Sequence, residues 1–569
     1  MTPAPEMSAT ASAREVAWAG WMTGLVAAAS LLAAIFIVGY VQYPYPIWRG
    51  LVFRYLLYRQ DFIGLALLVA ISLLACVPAT HRPALAFVET IGRRPWISAA
   101  ILFAALCLGT LYAAHNHALA GDEHLTLMQS RIFAEGRLTG QLPPELMPWL
   151  MSDYYRFRWI MLNAASGEIA SIYWPGFALV LTPFTLLGIP WACNPLLASL
   201  ALVLIARLAA RLTGNPQASG WAILLAIGSP GFTGLALSYF PMTAHLLINL
   251  VYAWLLIERG RRGLFYAGLA GSFALLLHNP VPHMLFALPW ILWLGWQPEG
   301  RRNLAALALG YVPGLVIGLA WAVFIRNMHG FIFAAPFPSD DDLLNQLGNL
   351  FWYWQLRTGW IFGSPEEYAI GGRIGEQVRL WSWAVPGLSV LAAAGWWFGR
   401  RTLALNLLAL SFVATILGYF LVKFDQGYGW GARYAHPAWG ALPILGAAAI
   451  VLWPSPVKGA AVLRGWVASA ATLSLVFGTA LRWWQIHDYI TEHLSRRPPF
   501  VEGVKQFVFI EYDRKHYTQD LVQNDPFLRQ PVVFLLSRER RNDVFMMQNL
   551  HPEAHQVHDG RYGHVWRFD

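Results

Sequence analysis

Long apolar stretches without a charged residue dominate this chain. A membrane-spanning helix needs about 20 consecutive apolar residues, because each residue adds only about 1.5 Å to its length. Several of the stretches are long enough for two passes, so the pattern predicts an all-α polytopic membrane protein with about 13 transmembrane helices. The stretches are residues 16–48, 62–80, 95–121, 169–206, 212–257, 263–298, 303–325, 380–399, 402–422, 434–457 and 465–481.

Basic residues between the apolar stretches set the predicted orientation. Loops on the cytoplasmic side of a membrane carry an excess of Lys and Arg. Placing every basic connection inside gives a consistent alternation with a cytoplasmic N-terminus, provided that residues 171–189 lie at the outer surface instead of spanning. The basic residues concerned are Arg82, Arg93, Arg94, Arg207, Arg211, Arg259, Arg261, Arg262, Arg301, Arg302, Arg400, Arg401, Lys458 and Arg464.

Three polar regions fall outside on this topology. They are loops 115–170 and 326–379, in which loop helices are expected, and the tail 483–569. Two runs of apolar and β-branched residues in the tail, 507–510 and 532–536, predict strands. The chain therefore divides into a two-helix membrane extension (1–94), a transmembrane core (95–482) and a small α/β domain outside the membrane.

Composition excludes a soluble enzyme. Only 12% of the residues are charged and 57% are hydrophobic, whereas soluble domains carry about 25% charged residues. The net charge of +9 comes from basic residues between apolar stretches and not from a basic groove, so no nucleic-acid partner is predicted. The 3 cysteines lie in apolar stretches, which argues against a disulfide framework or metal cluster.

Paired carboxylates follow the stretch 95–121 directly. Asp122 and Glu123, at the outer mouth of a helix, could take up a proton or bind a metal ion. The alternative is that they are two solvated acids at a helix end. Asp153 lies in the same outer loop, so the loop could build an acidic pocket.

A histidine and two prolines interrupt the long stretch 263–298. His278 precedes Pro280 and Pro282, and irregular backbone at membrane depth is tolerated only where it is buried in protein or lines a cavity. His278 is therefore a candidate ligand or proton carrier, or else an incidental residue of a tight turn.

A glycine-rich connection with two cations joins two late apolar stretches on the outer face. Residues 423–434 contain Lys423, Arg433 and three glycines. Glycine lets backbone N–H groups approach an anion, and Arg and Lys neutralise it. We interpret the segment as a phosphate contact; the alternative is an interhelical turn in which Arg433 extends toward the membrane surface.

In their order along the chain, these motifs resemble the GT-C superfamily of membrane glycosyltransferases. The resemblance covers roughly residues 95–482 and is strongest to bacterial relatives of protein O-mannosyltransferases and of the lipid A aminoarabinose transferase. Two predicted spans precede the family-like core. The matching segments are 121–123, 173–177, 194–197, 207–214 and 430–434.

The resemblance implies an inverting glycosyltransferase in the bacterial inner (cytoplasmic) membrane. Such enzymes move a sugar from a polyprenyl-phosphate donor to a glycan, lipid or protein acceptor on the periplasmic face. Asp122 and Glu123 would be catalytic, with Asp122 as the base, and Arg433 and Lys423 would bind the donor phosphate. A divalent metal ion, if there is one, would lie among Asp122, Glu123 and His278. The expected substrate contacts are Asp153, Tyr173, His278 and Tyr434.

Three other functions fit a polytopic membrane protein. A transporter or flippase of lipid-linked sugars usually places polar groups near the bilayer midplane, often with inverted repeats. Here the acids cluster in outer loops and no repeat is visible. An O-antigen ligase or polymerase would use a lipid-diphosphate donor, and a catalytically dead scaffold would tolerate replacement of Asp122.

Overall fold

The computed structural model describes residues 6–43, 51–152, 159–258, 260–328, 367–422, 425–453, 460–513 and 516–568. Two of the candidate site residues, Asp153 and Lys423, lie outside the described residues, as do residues 329–366 of the predicted outer loop.

Helices make up most of the described structure. Wider turns at Leu57–Asp61 and Ser474–Gly478 join α2 to α3 and α20 to α21. In chain order the helices are α1 (Glu6–Gln42), α2 (Leu51–Leu56), α3 (Phe62–Leu74), α4 (His81–Arg93), α5 (Pro95–Tyr112), α6 (Gly121–Ala134), α7 (Met147–Leu150), α8 (Gly176–Leu186), α9 (Cys193–Thr213), α10 (Ala218–Ile227), α11 (Pro230–Ala236), α12 (Met242–Glu258), α13 (Arg261–Leu276), α14 (Val281–Gly295), α15 (Gly300–Met328), α16 (Glu367–Ser382), α17 (Leu388–Gly399), α18 (Leu403–Tyr419), α19 (Ala441–Leu452), α20 (Ala460–Leu473), α21 (Thr479–Leu494) and α22 (Arg540–Leu550).

By length and composition, the chain is a multi-pass membrane protein. Shorter apolar helices of 10–17 residues, among them α8, α12, α14 and α18, accompany the long ones. The region 171–189 contains only α8, of 11 residues, which is too short for a full span. The count of about 13 spans stays a prediction. Within the described residues, 6 helices are long and apolar enough to cross: Trp18–Gln42, Leu51–Leu74, Pro95–Tyr112, Pro190–Thr213, Gly300–Ile325 and Ala461–Leu494.

Helices α10 and α11 form one further candidate span that is bent by 64°. Pro230 is the first residue of α11 and follows the extended residue Ser229. Because proline has no backbone N–H and disfavours helical conformation in the residue before it, the helix cannot continue straight through this point.

Two small sheets lie outside the apolar helices. In loop 115–170, β1 (Gly140–Gln141), β2 (Ile160–Leu162) and β3 (Glu168–Ser171) form an antiparallel sheet in the order β1-β3-β2. In the C-terminal region, β4 (Gln506–Ile510), β5 (Val532–Leu536), β6 (Ala554–Gly560) and β7 (Gly563–Phe568) form a sheet in the order β5-β4-β7-β6. β4 and β5 are parallel and the other pairs antiparallel. β4 and β5 coincide with the two runs, 507–510 and 532–536, that predict strands.

The C-terminal sheet is bonded to the first outer loop. Trp149 Nε1 donates a hydrogen bond of 2.7 Å to Asp543 Oδ1. Arg538 donates to two carbonyl oxygens of the same loop, those of Pro148 at 2.6 Å and Met151 at 3.0 Å. Apolar side chains of the loop and the sheet also share one hydrophobic cluster, so the two regions form a continuous structure.

A buried carboxylate, Asp61, joins three helices. Its Oδ2 accepts a hydrogen bond from Arg379 Nε at 2.9 Å, and its Oδ1 lies 3.3 Å from Arg482 Nη2. Ser382 Oγ and Trp383 Nε1 also donate to Oδ1, at 2.7 and 2.6 Å. All three charged side chains are at most 2% exposed. A buried charge is tolerated only when it is paired and hydrogen-bonded, and here the pairing ties the α2–α3 junction to α16 and α21.

The same cluster reaches the glycine-rich loop. Arg379 Nη1 donates a hydrogen bond of 2.8 Å to the carbonyl oxygen of Gly429. Gly64 on α3 leaves room for the second arginine, because a Cβ there would lie 1.9 Å from Arg482 Nη2. Helices from region 1–94 also share one hydrophobic cluster with the helices that follow; the division of the chain at residue 94 stays a prediction.

Replacing Asp61 should destabilise the protein strongly. Asp61→Ala leaves Arg379 and Arg482 buried without their counter-charge, and removing one partner of a buried ion pair costs about 3–5 kcal/mol. We expect a clear fall in the midpoint of thermal unfolding in detergent. As a control, Glu89→Ala removes an exposed partner of Arg93 and should leave the midpoint almost unchanged. Equal midpoints for the two variants would contradict the role of the cluster.

Candidate functional site

Asp122 stands in the first turn of α6, which begins at Gly121 after the extended residue Ala120. An acidic side chain is favourable there because the helix dipole is positive at its N-terminus. Asp122 Oδ2 accepts a hydrogen bond from Arg433 Nη1 at 2.9 Å, and Oδ1 accepts one from the Tyr173 hydroxyl at 2.5 Å. The structure therefore brings together three candidate residues from distant parts of the sequence.

The glycine-rich loop around Arg433 is held by Gln426. The Gln426 side chain accepts from the Arg433 backbone N–H and donates to the Gly431 carbonyl, both at 2.9 Å. Arg433 Nη2 donates to the Gln426 carbonyl at 2.6 Å. Gly429 and Gly431 have φ values of 130° and 67°, which L side chains rarely adopt. The glycines thus shape the turn that directs the guanidinium toward Asp122.

The Arg433 guanidinium lies among aromatic rings. Its central carbon is 4.5 Å from the centre of the Phe240 ring and 5.3 Å from that of Tyr434. The residue is only 6% exposed. Its Nε has no hydrogen-bond partner among the described residues, so one N–H of this buried cation is available to a further acceptor.

Tyr173 and His278 form the other side of the site. The helical break at His278 exists: α13 ends at Leu276 and α14 begins at Val281. Trp174 N–H donates a hydrogen bond of 3.3 Å to the His278 carbonyl oxygen. Next to this contact, the centres of the Tyr173 and His278 rings are 4.0 Å apart. His278 Nδ1 is buried without a hydrogen-bond partner among the described residues.

Charge pairing decides the ionisation of the site. Burial by itself would raise the pKa of Asp122, but Arg433, with His278 and Tyr173, holds that pKa below its ordinary value. For Arg433, burial opposes the charge, yet Asp122 keeps the pKa above its ordinary value. Burial lowers the pKa of His278 to about 4. At neutral pH the site therefore contains an ion pair beside a neutral imidazole.

Glu123 is in a different environment from its neighbour. It is 1% exposed, and its Oε2 accepts a hydrogen bond of 2.7 Å from the Tyr239 backbone N–H. Burial raises its pKa to about 8, although the Tyr239 N–H and Arg433 act in the opposite direction. Glu123 is thus mostly protonated at neutral pH, and its catalytic role stays a prediction.

A second buried arginine adjoins the site. The Arg373 guanidinium contacts both carboxylate oxygens of Glu376 at 2.8 Å and lies 4.9 Å from the Tyr434 ring centre. Tyr434 stacks on Tyr419 at 4.5 Å. Sequence reasoning did not single out the Arg373–Glu376 pair, because it lies in a region interpreted as an outer loop. The sequence feature that could have revealed the pair is the spacing of opposite charges at positions i and i+3, which places both on one face of a helix.

The three candidate metal ligands are not arranged as a metal site. Within the described residues, no group of three or more His, Cys, Asp or Glu side chains is placed to hold a metal ion. Asp122 binds Arg433 and Tyr173 instead, and Glu123 is turned to the Tyr239 backbone. The donor set in this arrangement therefore does not fit a divalent cation.

Two crystal structures of ArnT from Cupriavidus metallidurans are similar to this chain. The structure bound to undecaprenyl phosphate has 14% sequence identity and a TM-score of 0.49, and the comparison covers 82% of this chain and 97% of that one. The apo structure has 13% identity and a TM-score of 0.48, with the same coverage. No family model and no curated protein matches the sequence. ArnT is a lipid A aminoarabinose transferase of GT-C fold, one of the proteins that the sequence motifs resemble.

The protonated state of Glu123 predicts a pH-dependent stability. Its pKa of about 8 lies above the ordinary 4.5, so the folded protein keeps a proton that the unfolded chain has released. This contribution is complete below pH 4.5 and is lost as the pH rises through about 8. Glu123→Gln keeps an oxygen acceptor for Tyr239 but does not titrate. Between these pH values, the thermal midpoint of the wild type should fall relative to that of the variant.

The control for this titration is Glu145→Gln, which changes an exposed acid of the same outer loop. It should follow the wild type at every pH. Parallel curves for the wild type and Glu123→Gln would show that Glu123 does not carry the bound proton.

Proposed function

We propose that this chain is an inverting glycosyltransferase. It moves a sugar from a polyprenyl-phosphate-linked donor to a glycan, lipid or protein acceptor at the periplasmic face of the bacterial inner membrane. The observation that carries the proposal is the ion pair between Asp122 and Arg433. It joins a carboxylate suited to accept a proton to a cation suited to bind a phosphate.

Donor binding exchanges the partner of Arg433. The arriving phosphate competes with Asp122 for the guanidinium, which has a planar fork that matches two phosphate oxygens. The unpartnered Nε supports this exchange. Once Arg433 turns to the phosphate, Asp122 loses the interaction that lowers its pKa and becomes a stronger base. Phosphate binding thereby prepares the carboxylate for proton transfer.

The transfer step then needs only the Asp122 carboxylate and the Arg433 guanidinium. The acceptor hydroxyl oxygen forms a bond to the anomeric carbon while its proton moves to Asp122 Oδ2. The bond from the anomeric carbon to the phosphate oxygen breaks, and the electron pair stays on the leaving phosphate, where Arg433 stabilises the growing charge. Attack from the face opposite the phosphate inverts the anomeric centre.

Tyr173 and His278 orient this arrangement. The Tyr173 hydroxyl keeps its bond to Asp122 Oδ1 and so leaves Oδ2 as the basic oxygen. The neutral His278 ring offers Nδ1 to a sugar hydroxyl. Tyr434 and the Arg373–Glu376 pair support Arg433 from the other side.

A reconstituted assay tests the proposal directly. Purified protein in lipid nanodiscs is supplied with polyprenyl-phosphate sugars and with lipids extracted from the envelope of a deletion strain. We expect release of polyprenyl monophosphate together with a mass increase of one sugar on an acceptor, in inverted configuration. Movement of intact donor between leaflets, or release of polyprenyl diphosphate, would contradict the proposal and indicate a flippase or a ligase.

Asp122→Asn should nearly abolish transfer. Asparagine keeps the size of the side chain but cannot take up the proton, and a general base contributes about 10²–10⁴-fold to the rate. The measurement is the initial rate of acceptor glycosylation at saturating donor. Glu145→Gln is the matched acid-to-amide control in the same loop and should have wild-type activity. Comparable rates for both variants would remove Asp122 from the mechanism.

Arg433→Lys should lose much of the turnover although the charge is kept. Lysine is a point charge on a flexible stem and cannot bind two phosphate oxygens as a fork does. We expect Arg433→Ala to be slower still, with both variants folded. Arg400→Lys, on the predicted cytoplasmic side, is the control. If Arg433 only extends toward the membrane surface, lysine will replace it without loss, and a wild-type rate would refute the phosphate contact.

A further inference from the structure

The connection between α11 and α12, residues 237–241, is buried along its whole length. Buried backbone N–H and C=O groups need hydrogen-bond partners, and Tyr239 finds its partners on α6. Its N–H donates to Glu123 Oε2 at 2.7 Å, and its carbonyl oxygen accepts from Thr126 Oγ1 at 3.4 Å. One side of the connection is therefore bonded to the helix that carries Asp122.

The other side of the connection is bonded to Asn194, in the first turn of α9. Asn194 is 3% exposed, and its Nδ2 donates to the carbonyl oxygens of Ser238 at 2.6 Å and Phe240 at 2.8 Å. Carbonyl oxygens only accept, so this position needs a side chain with two donor hydrogens, as an amide has. The Asn194 amide therefore holds the two carbonyls that flank Tyr239.

This short connection contributes to the site at two points. The Phe240 ring centre lies 4.5 Å from the central carbon of the Arg433 guanidinium, and an aromatic face attracts a cation at that distance. The Tyr239 N–H, one residue earlier, is the donor to Glu123. The position of one buried backbone segment thus decides both contacts.

We propose that Asn194 is a positioning residue of the site. It acts through Tyr239 and Phe240, and, where the donor phosphate is concerned, the proposal rests on the proposed function. Without the amide, two buried carbonyl oxygens lose their donors, which is costly enough that the connection must move to find others. The matching segment 194–197 thereby takes part in the site although it lies far from Asp122 and Arg433 in the sequence.

Phe240 suits the exchange of partners at Arg433. A cation–π contact uses the face of the guanidinium and leaves its N–H groups in the plane for oxygen acceptors. Arg433 can therefore keep the Phe240 ring as a neighbour while its Nη1 leaves Asp122 for a donor phosphate. Displacing the ring consequently weakens the use of the donor and not that of the acceptor.

The first test is the pH dependence of stability, which requires no activity. The thermal midpoint of each protein is compared with that of its Glu123→Gln counterpart. In the wild type the contribution of the Glu123 proton is lost as the pH rises through about 8, and the Tyr239 N–H acts to lower this pKa. In Asn194→Ala that N–H is no longer held in place, so the loss should occur about 1 pH unit higher, the worth of one hydrogen bond to a charged group.

The matched control is Asn524→Ala in the C-terminal region. The Asn524 amide also makes two hydrogen bonds to backbone, donating to the Phe534 carbonyl oxygen at 2.7 Å and accepting from the Phe534 N–H at 2.8 Å. Its removal should lower the midpoint at every pH without changing the pH at which the Glu123 contribution is lost. The same result for Asn194→Ala would overturn the positioning role.

The second test is a double-mutant cycle on kcat/KM for the donor. Asn194→Ala should lower this constant by about 3–30-fold, the worth of a cation–π contact, and leave the KM for acceptor unchanged. Phe240→Leu removes the ring and should have a similar effect. Since Asn194 acts through Phe240, adding Asn194→Ala to Phe240→Leu should cost less than about 2-fold more. Effects that multiply in full would show that Asn194 acts elsewhere.

Asn194→Asp is a second variant of nearly equal volume. A carboxyl group buried here stays protonated, because burial disfavours the charged form, and it offers one donor hydrogen in place of two. Its kcat/KM for the donor should lie between those of the wild type and Asn194→Ala, and this variant carries the kinetic test if Asn194→Ala does not fold. A wild-type value for it in that case would contradict the proposal. If no protein transfers a sugar, the proposed function fails, whereas the pH dependence still judges Asn194.

Discussion

One buried carboxylate, Asp61, holds the framework of the site. Burying Arg379 and Arg482 would be costly without it, and burying Asp61 would be costly without them, so the three side chains fix one another's positions. Arg379 in turn donates a hydrogen bond to the carbonyl oxygen of Gly429, which fixes the position of that residue. The loop that presents Arg433 therefore takes its position from a charge at the junction of two N-terminal helices.

The site itself separates two adjacent carboxyl groups by environment. Asp122 faces a guanidinium and stays ionised, whereas Glu123 faces the Tyr239 backbone N–H and keeps its proton. The peptide positions differ by one residue, but α-helical geometry turns their side chains about 100° apart. Arg433 is consequently matched by a single negative charge and not by two, so under the proposed function a donor phosphate would compete with only one carboxylate.

The apolar pattern predicted the helical architecture because a helix in lipid needs a long run of consecutive apolar residues, which is visible in the sequence. The break at His278 and the strands at 507–510 and 532–536 were predicted from proline and from β-branched residues, which act locally. Within the described part of the chain, short apolar helices explain why fewer segments reach the length of a span than the apolar pattern predicts.

The ion pairs could not be predicted in this way. Asp122 and Arg433 are separated by 311 positions, and no local pattern indicates which distant charges meet. Asp61 stands immediately before the stretch 62–80, and nothing in the sequence around it indicates that it is fully buried. Each of these partners is specified by tertiary packing, which brings helices from both ends of the chain together.

The strand order of the C-terminal sheet sets a sequence of assembly. β7 (Gly563–Phe568) lies between β4 and β6, so the sheet lacks an interior strand until residue 568 has been synthesised. The apolar side chains of the first outer loop, including Leu125, Met128 and Leu150, share a cluster with that sheet. They emerge hundreds of residues earlier and must remain uncovered through most of translation. Packing of this loop is thereby coupled to completion of the sheet, and a chain that stops before β7 leaves these apolar side chains exposed.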